Sequence, residues 1–381
     1  MLNRRRAARR RRLFILIAII IVIVFGLWTM SKPVSTATRI IFHQNPGLQE
    51  TNGRTNILLL GIGGGTHDGP NLTDTIIFAS INQKANTVTL ISIPRDLWVV
   101  NGSTGEKINE AYADGQDNNN KGLVYTKAVV SHIVGQPIHY AFRIDFGGFV
   151  KAVDEVGGID VQVPETLDDY HYPIDGSEDL PCDHSEDEIK TFVATASADQ
   201  LLWDFFPCRY KHLHVDPGTV HMDGITALEY VRSRHGVGDQ GSDFARSKRQ
   251  QQVIEAFRGK VLSAGILLNP SKIIGLYNIL ENSIDTDISQ EDFAPFISLV
   301  QKIKSAKITS VVIDYGDPAN GRPGLLEQGP IDSAHNNAYT LIPRAGDQNF
   351  SEIQAFIACE LTGGACPLPT VPGTPIPGSK K

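Results

Sequence analysis

"NILLLGIGGGTHDGPNLTDTIIFASINQKANTVTLISIPRDLWV", Asn56 to Val99, decides the fold. It contains three runs rich in Ile, Leu, Val, Thr and Phe: "NILLLGI", "DTIIFASI" and "NTVTLISI". Each is bounded by Gly, Asn or Pro, which marks β-strands. Only "NQKAN" separates the second from the third, so these two predict a hairpin. "YAFRID" and "GIDVQV" read as further strands. Between and after them lie helical patterns. "KGLVYTKAVVSHIVG" and "FGGFVKAVDEVGG" close on glycine, as helices tend to. "DGITALEYV", "SDFARSKRQQQVIEAFRGKVLSA", "NPSKIIGLYNILENSI" and "SQEDFAPFISLVQKIKSA" follow, with Ser242 and Asp292 placed to cap. Then come a β-like "ITSVVIDY" and a last helix, "FSEIQAFIACEL". Strands alternating with helices predict an α/β domain, and the hairpin predicts that its central sheet is mixed, with helices flanking it.

The 381 residues carry charge unevenly. Seven arginines lie between Arg4 and Arg12, and the first lysine is Lys32. Setting those seven aside leaves 28 basic against 42 acidic side chains, an acidic body that argues against nucleic-acid binding. Leu13 to Met30 is an 18-residue run without a charge, long enough for a membrane-spanning helix. The arginines before it predict a cytoplasmic N-terminus and an extracellular domain, a single-pass protein of the cell membrane. A cleaved signal peptide is the alternative, with Ser35 and Ala37 as a small-x-small site. The expected organisation is a cytoplasmic basic segment (1–12), a transmembrane helix (13–30) and a stalk (31–53). An extracellular domain (54–304) follows, with an irregular insertion at about 165–222 read as a disulfide-tied surface excursion. A small extension packed on it (305–365) and a Pro/Gly-rich disordered tail (366–381) end the chain. Four cysteines suit an oxidising exterior. Sequence leaves three pairings open, of which Cys182–Cys208 and Cys359–Cys366 is the expected one. Zinc is the rival, with His184, His212 and His214 nearby, though no C-x-x-C spacing supports it.

Candidate site residues concentrate in "EYVRSRHGVGDQGSDFARSKRQQQ", Glu229 to Gln252. On a helix, Asp243, Arg246, Arg249 and Gln250 fall within an arc of about 120°, and Val253, Ile254 and Phe257 continue that arc. A face that starts charged and becomes apolar suits an anion followed by a core or an apolar channel. An ordinary core helix with ion pairs at its start is the plainer alternative. Arg232 and Arg234 serve the same site only if the preceding helix ends near Val231. Together with Arg246 and Arg249 they offer planar forks suited to phosphate oxygens. Arg95 and Asp96 follow Pro94 at the exit of a strand, where open α/β sheets place ligands, or they form a local ion pair. Asp74 and Asp68 flank a glycine-rich turn and offer hard oxygen ligands for Mg²⁺, or act as turn and capping residues.

The ordered set "NILLLGIGG", "LTDTIIFASIN", "ISIPRDLWV", "KINEAYADG", "RIDFGGFVKAVDEVGGIDVQVPE", "MDGITALEYVRSR" and "DFARSKRQQQVI" resembles the LytR–CpsA–Psr family over most of residues 55–262. The resemblance implies a transferase of phosphorus-containing groups. It would move a glycopolymer from a polyprenyl-pyrophosphate carrier to a hydroxyl of peptidoglycan or another wall acceptor, as a phosphodiester. It implies that the pyrophosphate is bound through arginines and the membrane lipid in an apolar tunnel. By motif, Arg95, Arg232, Arg234, Arg246, Arg249 and Gln250 match the pyrophosphate-binding positions. Asp243 matches the aspartate of the last motif, and Asp74 the one associated with Mg²⁺. The chain departs from the family at Gly63, where many members carry an aspartate. That weakens the metal site or passes the role to Asp68. A polyprenyl-pyrophosphate hydrolase and a non-enzymatic protein that holds lipid-linked wall precursors are the alternatives. A membrane-tethered transcription regulator is disfavoured, since only 12 residues precede the apolar run.

Overall fold

The structure is a computed structural model. It describes residues 47–65, 69–101, 104–195, 202–263, 280–289, 292–303, 306–317, 322–364 and 366. The expected span at 13–30, the stalk up to 46, Asp68, most of "NPSKIIGLYNILENSI" and the tail past 366 lie outside these residues. Among the described residues, no helix is long and apolar enough to cross a membrane.

The expected mixed sheet is present. Strands β1 (Arg54–Ile62), β2 (Thr73–Asn82) and β3 (Thr87–Ser92) form an antiparallel meander. The β2–β3 turn places Asn86 at φ 50° and uses the Asn82 side chain to accept from the Ala85 N–H, so "NQKAN" is a hairpin turn. Strand β6 (Tyr140–Asp145) adds parallel to β1, and β12 (Lys307–Val312) adds parallel to β3. Short β11 (Ile284–Thr286) completes the order β11-β6-β1-β2-β3-β12. "ITSVVIDY" thus supplies an edge strand of the central sheet. Strands β4 (Trp98–Asn101) and β5 (Thr104–Lys107) form a separate hairpin, and β7 (Ile159–Val163) pairs outside the central sheet.

Both faces of the sheet are covered, which is why its strands are apolar almost throughout. Alternate residues serve separate cores. Ile57 and Ile77 face one, together with helices α3 (Phe146–Glu155), α5 (Gly224–Arg232), α6 (Asp243–Ser263) and α7 (Phe293–Lys302). Leu58, Leu60 and Phe78 face the other, under α1 (Ala111–Asp117), α2 (Gly122–Val134) and α8 (Ser351–Thr362). Helix α2 ends as predicted, with Gly135 in the left-handed region at φ 64°. Ser242 caps α6 by accepting from the Ala245 N–H. Asp292 does not cap α7. Its carboxylate accepts from Tyr140 Oη and from the Ser289 N–H and hydroxyl instead.

The segment at 165–222 corrects the expectation of an irregular surface excursion. Strand β8 (Leu167–Pro173) pairs with β9 (Tyr210–Val215), and β10 (Gly218–Met222) pairs with β7. A helix, α4 (Glu186–Thr195), lies between β8 and β9. Leu167, Tyr172, Leu213, Val215 and Met222 are buried in the first core. In "YKHLHV" two inward apolar residues alternate with outward histidines, a period of two that the polar composition hides. Both expected disulfides form, Cys182–Cys208 and Cys359–Cys366, which removes all four cysteines from any metal site.

Glu106, on β5, is buried beneath α2 and accepts from Tyr125 Oη. Burial and the neighbouring Asp114 push its carboxyl up from 4.5 to about 7. An acid whose folded pKa is raised takes up a proton on folding. Its contribution is complete below about 4.5 and is lost as pH rises through 7. Glu106→Gln is therefore expected to be more stable than wild type at pH 8, by about 1–3 kcal/mol, and close to it at pH 4.5, as read by urea unfolding at both pH values.

Candidate functional site

Strands β1, β3, β6 and β12 run in one direction, so their carboxyl ends gather at one edge of the sheet. Antiparallel β2 begins at that same edge, with Thr73 opposite Ile62. Open α/β sheets bind ligands there because connections diverge from strand ends and leave a crevice. Here the crevice is a cavity of about 410 Å³ between the first sheet face and helices α3, α5 and α6.

The walls of this cavity are apolar. Leu59, Ile77, Phe142 and Ile144 come from the sheet. Phe146 and Phe149 come from α3, Leu228 and Val231 from α5, and Val253, Ile254 and Phe257 from α6. Leu59 sits on a central strand covered on both sides, yet it is only partly buried. The cavity beside it accounts for that exposure. A space of this kind suits a hydrocarbon chain, which fills apolar volume without demanding hydrogen bonds.

The mouth is charged. Arg95 follows β3 and Asp74 opens β2, and the Arg95 Nη1–Asp74 Oδ1 pair is 2.5 Å. Arg232 is the last residue of α5, and Ser233 then turns to extended chain at ψ 130°, so Arg234 leaves the helix. Arg232 lies 4.8 Å over the Phe146 ring and pairs with Asp175 at 2.8 Å. Arg246 and Gln250 come from the first turns of α6. Thus Asp74, Arg95, Arg232, Arg234, Arg246 and Gln250 meet at one cavity, as the sequence predicts. Asp74, Thr75, Arg95, Arg246 and Gln250 also border a second groove of about 590 Å³. That groove is more polar, with Glu165, Gln240, Lys248, Gln252 and Tyr315 along it. The arginine cluster therefore stands at the junction of an apolar limb and a polar limb.

Arg249 has another task. It is 2% exposed, and its guanidinium donates to the carbonyls of Tyr230, Ser233 and Gln240. Burial lowers its pKa to about 10, still charged at neutral pH. It lies at the edge of the predicted arc, about 60° from Arg246, where it packs on α5 and borders the polar groove rather than the apolar cavity. Asp243 opens α6, and its side chain lies outside the described residues, as does Asp68.

Three contributors escaped sequence reading. Asp169, on β8, is fully buried and accepts from Ser233 Oγ and from the N–H groups of His235 and His171. Tyr172 lines the cavity, and its buried hydroxyl has no hydrogen-bond partner among the described residues. Asp145 lines the same cavity while its Oδ1 accepts from the Gly148 N–H to cap α3. A Cβ added at Gly64, already at φ +69°, would lie 2.6 Å from Asp145 Cβ, so the glycine turn packs against this aspartate. The residues present fit a divalent cation. Mg²⁺ commonly takes one or two carboxylates plus substrate phosphate oxygens, and Asp74 and Asp145 supply carboxylates to the cavity that the arginines guard.

The chain is similar in sequence and fold to known proteins. The model of the LytR_cpsA_psr family matches residues 29–336. The polyisoprenyl-teichoic acid–peptidoglycan teichoic acid transferase TagU of Oceanobacillus iheyensis is 26% identical over 268 residues, which is 70% of this chain and 69% of that one. The TagV transferase of Bacillus subtilis is 27% identical over 76% of this chain, and the match spans 61% of TagV. The crystal structure of B. subtilis TagV has a TM-score of 0.53 at 25% identity, covering 82% of this chain and 99% of that one.

The arginines should separate by experiment. Arg249→Ala leaves two buried carbonyls and a part-buried one without their donor and is expected to cost about 3 kcal/mol or more. Arg234→Ala, at an exposed position, should stay within about 1 kcal/mol of wild type. Chemical denaturation of both variants checks the difference.

Proposed function

The chain belongs to the LytR_cpsA_psr family, and from that premise we propose that it is a membrane-anchored glycopolymer phosphotransferase. Its donor is a glycan carried on polyprenyl pyrophosphate, and its acceptor is a hydroxyl of peptidoglycan or a related wall polymer. The observation that carries this reading is one cavity with an arginine mouth and hydrocarbon-compatible walls. Isoprenoid chain and pyrophosphate are the two ends of one molecule, and the two parts of the cavity suit one each. The named activity of the TagU and TagV relatives supports the same substrate class. The anchor is the apolar run at 13–30, which holds the domain at the outer membrane surface beside its lipid substrate.

In the proposed reaction the lipid lies between α3, α5 and α6. Arg95, Arg232, Arg234 and Arg246 surround the pyrophosphate, and Gln250 donates to a phosphate oxygen. The acceptor hydroxyl attacks the phosphorus that bears the glycan. A new P–O bond forms as the bond to polyprenyl phosphate breaks, and the hydroxyl proton passes to a carboxylate. Asp74 and Asp243 are the candidate proton acceptors. Charge stabilisation and positioning dominate such transfers, because the negative charge that develops on the departing phosphate meets fixed cations. A Mg²⁺ held by Asp74 and Asp145 would supply further neutralisation of phosphate charge. In this reading the glycan lies along the polar groove, away from the lipid side.

Transfer is measured with a lipid-linked glycan donor, with and without a peptidoglycan acceptor. Arg95→Ala and Arg246→Ala are expected to lose about 100-fold or more in transfer while unfolding near the wild-type temperature. Wild-type rates in either variant would sink the reading. Release of glycan phosphate without an acceptor, at the rate seen with it, would make the protein a hydrolase. Tyr172→Phe should fold as stably as wild type and raise KM for the donor about fivefold, since in this reading its unpartnered hydroxyl donates to a ligand oxygen.

A further inference from the structure

Outside the cavity, two histidines and an aspartate converge on the β8–β9 pair. His214 stands directly opposite Asp168 in the strand register. His212, two residues earlier on β9, shares that face because strand side chains alternate. Asp168 Oδ1 is 2.8 Å from His212 Nε2 and 2.7 Å from His214 Nδ1. The three ligand atoms lie within 4.8 Å of one another. Two further contacts orient the rings. Tyr170 stacks on His212 at 4.1 Å and an interplanar angle of 8°, and Asp216 Oδ1 lies 3.2 Å from His214 Nε2.

We infer that Asp168, His212 and His214 form a binding site for a Zn²⁺-class transition-metal ion. Two imidazoles and one carboxylate are a donor set for zinc, with the fourth position left to water. Hard ions such as Mg²⁺ and Ca²⁺ prefer all-oxygen sets and are selected against. Ligand atoms about 3–3.5 Å apart close around a tetrahedral ion, so small side-chain rotations from the present contacts suffice. The ion binds the neutral imidazoles through the nitrogens that face Asp168, so each ring carries its hydrogen on the opposite nitrogen, and an imidazolium gives up one proton to solvent. Asp216 then stands behind His214, the carboxylate–histidine–metal arrangement that fixes the ring and raises its basicity. The site is open to solvent, with His212 and His214 side chains 43% and 46% exposed.

Its position couples it to the cavity. Asp168 precedes the buried Asp169 that holds Ser233 and His235, and its carbonyl accepts from the Val237 N–H. An ion at Asp168 therefore stiffens the strand that fixes the arginine segment. This site does not depend on the transferase reading.

The test uses the purified full chain without a polyhistidine tag, titrated with Zn²⁺ or Co²⁺ alone. Wild type is expected to bind one Co²⁺ with the intense visible bands of a tetrahedral site, displaced by Zn²⁺. Its unfolding temperature should rise about 5 °C at a hundredfold excess of Zn²⁺ over Kd. The double variant His212→Ala/His214→Ala should unfold near the wild-type temperature without metal and lose both responses. Asp216→Asn should weaken binding about tenfold. Asp74→Asn, in the cavity, should bind Zn²⁺ as wild type does. The inference is overturned if wild type and the double variant bind alike, or if Asp74→Asn abolishes the response.

Discussion

The mouth of the cavity depends on one buried arrangement, the clamp that Arg249 and Asp169 close on the segment Arg232-Ser233-Arg234-His235. Arg249 donates to the carbonyls of Tyr230 and Ser233 from one side. Asp169 accepts from the Ser233 hydroxyl and the His235 N–H from the other. Two opposite charges are thus buried on the same short stretch of backbone, each satisfied by polar groups of that stretch. The chain leaving α5 is thereby held extended, which lets Arg232 and Arg234 approach one cavity although a helix would turn them about 160° apart. Arg232 and Arg234, the proposed phosphate-binding arginines, reach the cavity while Arg249 beneath them is buried.

The second determinant is where the sheet ends. Four strands running one way bring Ile62, Arg95 and Asp145 to a common edge, and helices α3, α5 and α6 cover one face beyond it. Incomplete packing of that face leaves Leu59, Ile144 and Phe149 partly exposed inside an otherwise dense core. A core normally closes such gaps. Here it keeps an apolar channel leading to a cationic mouth, the complement of an amphipathic lipid with a multiply charged head.

Much of this is legible in the sequence. Strands between Asn56 and Ser92 declare themselves through composition and turn residues, and the "NQKAN" turn fixes their antiparallel pairing. The face of α6 is legible as well, since Arg246, Gln250, Val253, Ile254 and Phe257 recur at helical spacing and all reach the cavity. Arg249 could not be read correctly from spacing alone. Its place at the edge of the arc made its role depend on which neighbour lay beside it, and only the packing of α5 decides that. Asp169 and Tyr172 were illegible for a different reason. They sit on β8, where a register shift between Asp169 and Tyr172 breaks the period of two that would have marked a strand.

We propose that the arginine mouth and the apolar channel together bind one polyprenyl-linked phosphate. Native mass spectrometry of the full chain, extracted from bacterial membranes in mild detergent, tests it most directly. The expected result is a bound mass equal to a polyprenyl phosphate or pyrophosphate, with or without attached sugars, that survives mild activation. A chain that carries only diacyl phospholipid, or no lipid at all, would contradict it.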